Sequence, residues 1–349
     1  MQLLKELSES FGSPGFEEDI RKIVIRELDG LVDEIRTDRL GNLIALRRAS
    51  KQTQNPRRVM LAAHLDEIGF VVKHIEKNGF LKLNPLGGFD PKTLIAHRVL
   101  VRTRQRDLVG VIGTKPVHIL TDEEKTKLPK LDDLFVDLGL EPEGVRQIVE
   151  IGDPVTLWQP FLEFGEMVSG KSLDNRISVW TLIKTLQQLK DKGIATDLYA
   201  VFTAQEEVGL RGATVAAFGI DPEIGIAIDV TLACDMPGVP PSAQITQLGK
   251  GVAIKICDSA SISHPQLVRF LRETAEHETI PYQLEVLPRG GTDAGGIQRV
   301  RAGIPVVTVS IPTRYVHSVV ETAHKKDLSA GIALLTAALQ RLDQLVLGG

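Results

Sequence analysis

Hydrophobic residues recur at helical spacing near the start of the chain and then change period. Residues 1–11 set leucines among Lys5, Glu6 and Glu9, which predicts a short amphipathic helix. Ile20, Ile23, Val24 and Leu28 line one side of a second helix over 17–28. Segments 32–36 and 42–46 read as two strands joined by a turn at 38–41, and the polar stretch 49–57, which holds Pro56, reads as a loop. Residues 59–63 are continuously apolar and end at His64. A run so short and unbroken suits a strand buried on both faces. Similar runs occupy 198–203, 224–228 and 306–311. Between them lie helical patterns over 175–190 (Ile177, Trp180, Leu182, Ile183, Leu186, Leu189) and 264–277 (Leu267, Val268, Leu271, Ala275). Strands alternating with helices predict an α/β fold: a mostly parallel sheet with helices on both faces.

Residues 68–162 read differently. Short β-like segments at 70–74, 80–83, 98–104, 109–112 and 154–157 are punctuated by Gly, Pro and Asp, with one short helix expected near 131–138. This predicts a small β-rich domain inserted into a discontinuous α/β domain formed by 1–67 and 163–349. No internal repeat or low-complexity tract appears.

Composition narrows the function. The 349 residues are 43% hydrophobic and 25% charged, too apolar and too evenly charged for a disordered chain. A net charge of −4 and aromatics at 5% leave neither a basic field nor stacking platforms, so no nucleic-acid partner is expected. No apolar run approaches the roughly 20 residues that span a bilayer, and the first residues lack the unbroken stretch of a signal peptide. The expected setting is the cytoplasm, with no membrane partner and with Cys234 and Cys257 as buried free thiols.

In open α/β sheets, ligands bind beyond the carboxyl ends of the strands. Here the apolar runs lead to His64 and Asp66, to Glu206 and Glu207, to Asp229 and, a little further on, to His317; Asp174 stands at the mouth of the helix that begins near Asn175. Each has an ordinary alternative: His64-Leu65-Asp66 as a surface or capping pair, Asp174 as an N-cap, the glutamates as a solvated loop, Asp229 as a turn residue, His317 as a core histidine. Their shared position at one sheet edge favours a site. Two histidines, three carboxylates and a spare carboxylate can hold two zinc-like ions and leave one acid to move a proton. Asp66, two positions after His64 in an extended stretch, would share its side and orient the imidazole.

The segments Ala63-His64-Leu65-Asp66-Glu67-Ile68-Gly69-Phe70, Leu173-Asp174-Asn175-Arg176, Gln205-Glu206-Glu207-Val208-Gly209-Leu210-Arg211-Gly212-Ala213, Ala227-Ile228-Asp229-Val230-Thr231, Gly290-Gly291-Thr292-Asp293-Ala294-Gly295 and Arg314-Tyr315-Val316-His317-Ser318 resemble the tetrahedral aminopeptidases. That family includes glutamyl and deblocking aminopeptidases and is sometimes labelled endoglucanase. The resemblance spans essentially the whole chain, in order. It implies two divalent ions per subunit, zinc first, with cobalt or manganese accepted. His64, Asp229 and bridging Asp174 would hold one ion; Glu207, His317 and the same Asp174 would hold the other. Glu206 would be the general base and Asp66 would steer His64. The substrates implied are peptides with a free N-terminus. The β-rich domain would be a dimerisation domain, and dimers would build a homo-oligomeric tetrahedral particle of twelve subunits. Val179, His264-Pro265 and Arg289 depart from the family pattern, and none removes a ligand.

Thr292 and Asp293 stand in a glycine-rich loop before a helix predicted over 295–300. A turn with a helix cap and a pocket wall beside the metals are both open there. With Arg289 they form the expected substrate side, where Arg289 points to acidic side chains. The alternative enzyme is a related two-metal amidohydrolase or carboxypeptidase acting on N-acyl amino acids. A glycosidase would need two carboxylates free of metal.

Overall fold

The computed structural model describes residues 1–51 and 53–347. Gln52, inside the loop expected over 49–57, and the last two residues of the α/β domain expected over 163–349 lie outside the described residues. Eleven strands of the described residues form one sheet. Its centre is parallel, in the order Asp197–Thr203, Arg58–His64, Ile224–Leu232, Val306–Arg314. Antiparallel strands extend it on both sides, through Leu43–Arg47 and Glu34–Thr37 at one end and Glu321–His324, Met167–Gly170 and Leu162–Phe164 at the other.

The unbroken apolar run before His64 is explained by helices on both faces. Val59, Leu61 and Ala63 pack into one core with the helices Gln2–Glu9, Glu18–Glu27, Leu173–Leu189, Pro265–His277 and Lys325–Arg341. Met60 and Ala62 point the other way, into a smaller core with the helices Arg211–Ile220 and Asp293–Gln298. Alternate residues of one strand thus serve opposite layers.

Six antiparallel strands between Gly69 and Trp158 close into a separate barrel. Phe70, Val72, Val99, Val101, Ile112, Val136 and Val155 fill its interior. The helix expected near 131–138 is instead a 3₁₀ turn, Leu131–Asp133, followed by a strand, Phe135–Asp137. Leu134 and Val136 both enter the barrel core while Asp137 faces solvent, a two-residue period that the leucine spacing disguised. Short helices at Asp122–Thr126 and Pro142–Ile148 were not foreseen. Cys234 and Cys257 are free, but half-buried rather than buried. Among the described residues, no helix is long and apolar enough to cross a membrane.

The sheet positions the acidic loop 204–210 through a close helix approach. A Cβ on Gly212 would stand 2.3 Å from both the Ala204 carbonyl oxygen and Asn42 Oδ1. Gly212→Ala is expected to cost about 1–3 kcal/mol by overpacking. Gly219, on the same helix, has nothing near its missing Cβ, so Gly219→Ala should gain about 0.5–1 kcal/mol. Urea unfolding of both variants measures the contrast; equal effects would contradict the packing described.

Candidate active site

Parallel register brings the site residues level. His64 pairs with Thr203, three residues before Glu206, and Ala62 pairs with Ala227, which places Asp229 level with His64. Asp229 does not end its strand as expected: the strand runs on to Leu232 because residues 230–232 keep pairing with 311–313. Asp174 lies within the first turn of Leu173–Leu189, where it and Asn175 leave helical geometry; the Asp174–Asn175 peptide is cis. Asp174 Oδ1 accepts no hydrogen bond and the two oxygens face His64 and His317, not the amides of the following turn, so the capping alternative for Asp174 falls away. Asn175 Nδ2 donates to the Ile228 carbonyl, tying this turn to the Asp229 strand.

The side chains converge. His64 Nε2 lies 3.2 Å from Asp174 Oδ1, 3.8 Å from Asp229 Oδ1 and 3.9 Å from Glu206 Oε2. His317 Nε2 lies 3.4 Å from Asp174 Oδ2 and 3.5 Å from Glu207 Oε2. Asp174 therefore turns one oxygen to each histidine. His64 Nδ1 lies 3.0 Å from the Asp66 carbonyl oxygen. A carbonyl only accepts, so Nδ1 carries a hydrogen, and Nε2, which faces the carboxylates, is the nitrogen that can hold either a proton or a cation.

Such a cluster of acceptors asks for a cation. Asp174 Oδ1 and Glu207 Oε1 are buried and receive no hydrogen bond, a costly state for a carboxylate oxygen. Donor atoms around a tetrahedral ion at about 2.1 Å stand roughly 3.4 Å apart, close to the spacings found here. The sets His64, Asp174, Glu207 and His64, Glu206, Asp229 each gather one donor atom per residue within 4.8 Å. Imidazole and carboxylate donors at these spacings fit divalent metal.

Electrostatics follow from burial. Burial pushes the Glu206 and Asp229 carboxyls well above their usual range against the pull of His64, and pushes Glu207 up to about 7. Burial also opposes charge on Asp174, yet contacts from His317 and His64 hold its pKa below the usual range. His317 is raised to about 10, its carboxylate neighbours overcoming its burial.

The loop carrying the glutamates is held from outside. Ala204 N–H donates to Asn42 Oδ1, Gln205 N–H to Glu17 Oε1, Glu206 N–H to Asp66 Oδ1 and Glu207 N–H to Asp66 Oδ2, at 2.9–3.1 Å. The Asp66 carboxylate, expected to orient His64, lies 3.7 Å from its Nδ1 and also grips these two amides. Arg176 is fully buried against Glu67, with Lys171 on the same carboxylate. Sequence reasoning also missed Glu321, Glu17 and Asn42. No periodicity marks them, because their contacts join segments far apart in the chain.

A cleft of about 530 Å³ opens over the cluster, lined by His64, Asp174, Glu206, Glu207, Asp229 and His317 together with Thr231, Leu287, Arg289 and Gly290. Thr292 and Asp293 are not among its lining residues. The Thr292 hydroxyl bonds that of Thr308, and Asp293 accepts from Thr203, so both are buried behind the wall. The helix predicted over 295–300 starts at Asp293 itself, two residues earlier, and ends at Gln298.

Residues 41–334 match the model of the M42 glutamyl aminopeptidase family. The lysyl aminopeptidase of Pyrococcus furiosus is 38% identical over 348 residues, covering 98% of this chain and 97% of that protein. The TET aminopeptidase of the Thaumarchaeota archaeon SCGC AB-539-E09 superposes with a TM-score of 0.94 at 36% identity, covering 98% of this chain and 96% of that one. The Pyrococcus horikoshii TET1 peptidase, described as assembling into a tetrahedron or a large octahedral shell, superposes with a TM-score of 0.85 at 33% identity, covering 97% and 98%. A match over this much of the sequence, joined to a fold shared along the whole chain, has one consequence: the chain belongs to the M42 glutamyl aminopeptidase family.

Proposed function

We propose that the protein is a dinuclear metal-dependent aminopeptidase that removes N-terminal residues from peptides in the cytoplasm. The observation that carries this reading is Asp174, whose two oxygens face two different histidines. His64, Asp229 and Asp174 would hold one ion, and Glu207, His317 and Asp174 the other. Zinc suits the donors, as do cobalt and manganese. Bound there, the ions supply Lewis acidity, which polarises a carbonyl and makes water a better acid.

The chain's own residues do the rest. Glu206 stands in the cleft with a carboxyl whose proton affinity is raised by burial. It takes a proton from the attacking water and returns it to the leaving nitrogen. Asp66 fixes the Glu206 backbone, so the carboxylate stays aimed at the cleft. Arg289, on the cleft wall, contacts the side chain of the N-terminal residue.

The barrel carries the dimer contact, and dimers build a tetrahedral particle of twelve subunits. Cross-strand register places Val111, Arg98 and Trp158 in one row. All three are exposed, with Val109 beside them, which leaves apolar surface for a second copy. The P. horikoshii relative supports the larger assembly.

Three outcomes are expected. Glu206→Gln should keep fold and metal content while kcat falls by about 10²–10⁴-fold; turnover near wild type would remove Glu206 as the base. On a panel of aminoacyl-arylamides, Arg289→Ala should lower kcat/KM for acidic N-terminal residues more than for neutral ones. An unchanged ratio would take Arg289 out of the pocket. In light scattering, wild type should have twelve times the chain mass, and Val111→Glu should yield smaller species with unchanged thermal stability; a monomeric wild type would refute the assembly.

A further inference from the structure

Glu321 opens the strand Glu321–His324 and is buried. It belongs to neither donor cluster. Its Oε2 accepts the Asp174 N–H at 2.9 Å, and its Oε1 accepts the His317 N–H at 2.7 Å. One carboxylate therefore grips the backbones of two residues 143 positions apart in sequence whose side chains meet at 3.4 Å.

Both gripped residues need external support. His317 has a φ of +64°, and Tyr315 two residues before it +60°, a region that non-glycine residues visit at a cost. Asp174 departs from helical geometry within its own helix (φ −77°, ψ 101°). Neither backbone can rely on a regular ladder to fix where its side chain points. The arrangement parallels Asp66, whose two oxygens hold the amides of Glu206 and Glu207.

We propose that Glu321 is a positioning residue that sets the separation of Asp174 from His317 and so builds the cation position those residues share with Glu207. The role rests on the two-ion reading above. It explains why an acid is needed. Two N–H donors arrive at two separate oxygens, and a glutamine offers one acceptor oxygen and turns an N–H₂ toward the other donor. An isosteric amide thus breaks one of the two grips, whereas an aspartate keeps both acceptors on a shorter stem.

The test counts ions and does not depend on turnover. Zinc is titrated calorimetrically into chelator-treated wild type, Glu321→Gln and Glu321→Asp, with thermal unfolding of each chelated protein as the folding control. Wild type should take up two equivalents. Glu321→Gln should retain one at near wild-type affinity and bind the other about 10–100-fold more weakly, the usual effect of losing a residue that orients a ligand. Glu321→Asp should recover part of that loss. Two equivalents at unchanged affinity in Glu321→Gln would overturn the role of Glu321 and leave the two-ion reading standing. Fewer than two in wild type would overturn both. Hydrogen exchange on chelated wild type supplies a check free of any variant: the Asp174 and His317 amides should exchange slowly, and fast exchange at either would refute the grip.

Discussion

The site depends on buried side chains that bind peptide N–H groups across long sequence separations. A loop after a strand has no shape of its own. In this protein four consecutive amides, those of residues 204–207, are each bound by a side chain from another segment: Asn42, Glu17 and both oxygens of Asp66. Glu321 does the same for Asp174 and His317. Acidic residues are suited to the task because a carboxylate offers two acceptor oxygens, so one side chain can fix two amides. The cost is charge. Asp66, Glu17 and Glu321 add negative groups around a site that already gathers Asp174, Glu206, Glu207 and Asp229.

That excess explains the electrostatics. Burial and mutual repulsion raise the proton affinity of Glu206, Glu207 and Asp229, while the two histidines hold Asp174 ionised. Of the nearby buried cations, Lys171 and Arg176 are committed to Glu67, and Lys255 to Glu285 and Asp258. Arg289 on the cleft wall and the two histidines offset the excess in part, and further positive charge can come from outside the chain. Protons or divalent ions could supply it. The two-sided placement of Asp174 and the spacing of the donors favour ions.

Much of this was legible in the sequence. Apolar runs ending in His or acid located the parallel centre of the sheet and its carboxyl edge, because period and burial are local properties of a strand. The residues that meet in the cluster were singled out for the same reason where they follow a run, as His64, Glu206 and Asp229 do, and Asp174 by its place at a helix mouth. What was hidden depends on partners far away in the chain. The register that extends the Asp229 strand is set by residues 311–313. The grip of Asp66 on Glu206 and Glu207 leaves no mark on His64-Leu65-Asp66. Glu321, a single glutamate after Val319-Val320, has no pattern to betray it. Thr292 and Asp293 could be read as a helix-cap turn or a pocket wall, and Thr308 and Thr203 draw their side chains inward. In the barrel, leucine spacing near 131–138 imitated a helix until cross-strand packing decided the period.

The central claim is that Asp174 lies between two cations. Anomalous diffraction from crystals grown with zinc, recorded on both sides of the zinc absorption edge, tests it directly. Two peaks are predicted, one beside each oxygen of Asp174, the first against His64 and Asp229 and the second against Glu207 and His317. A single peak, or peaks away from Asp174, would contradict the account.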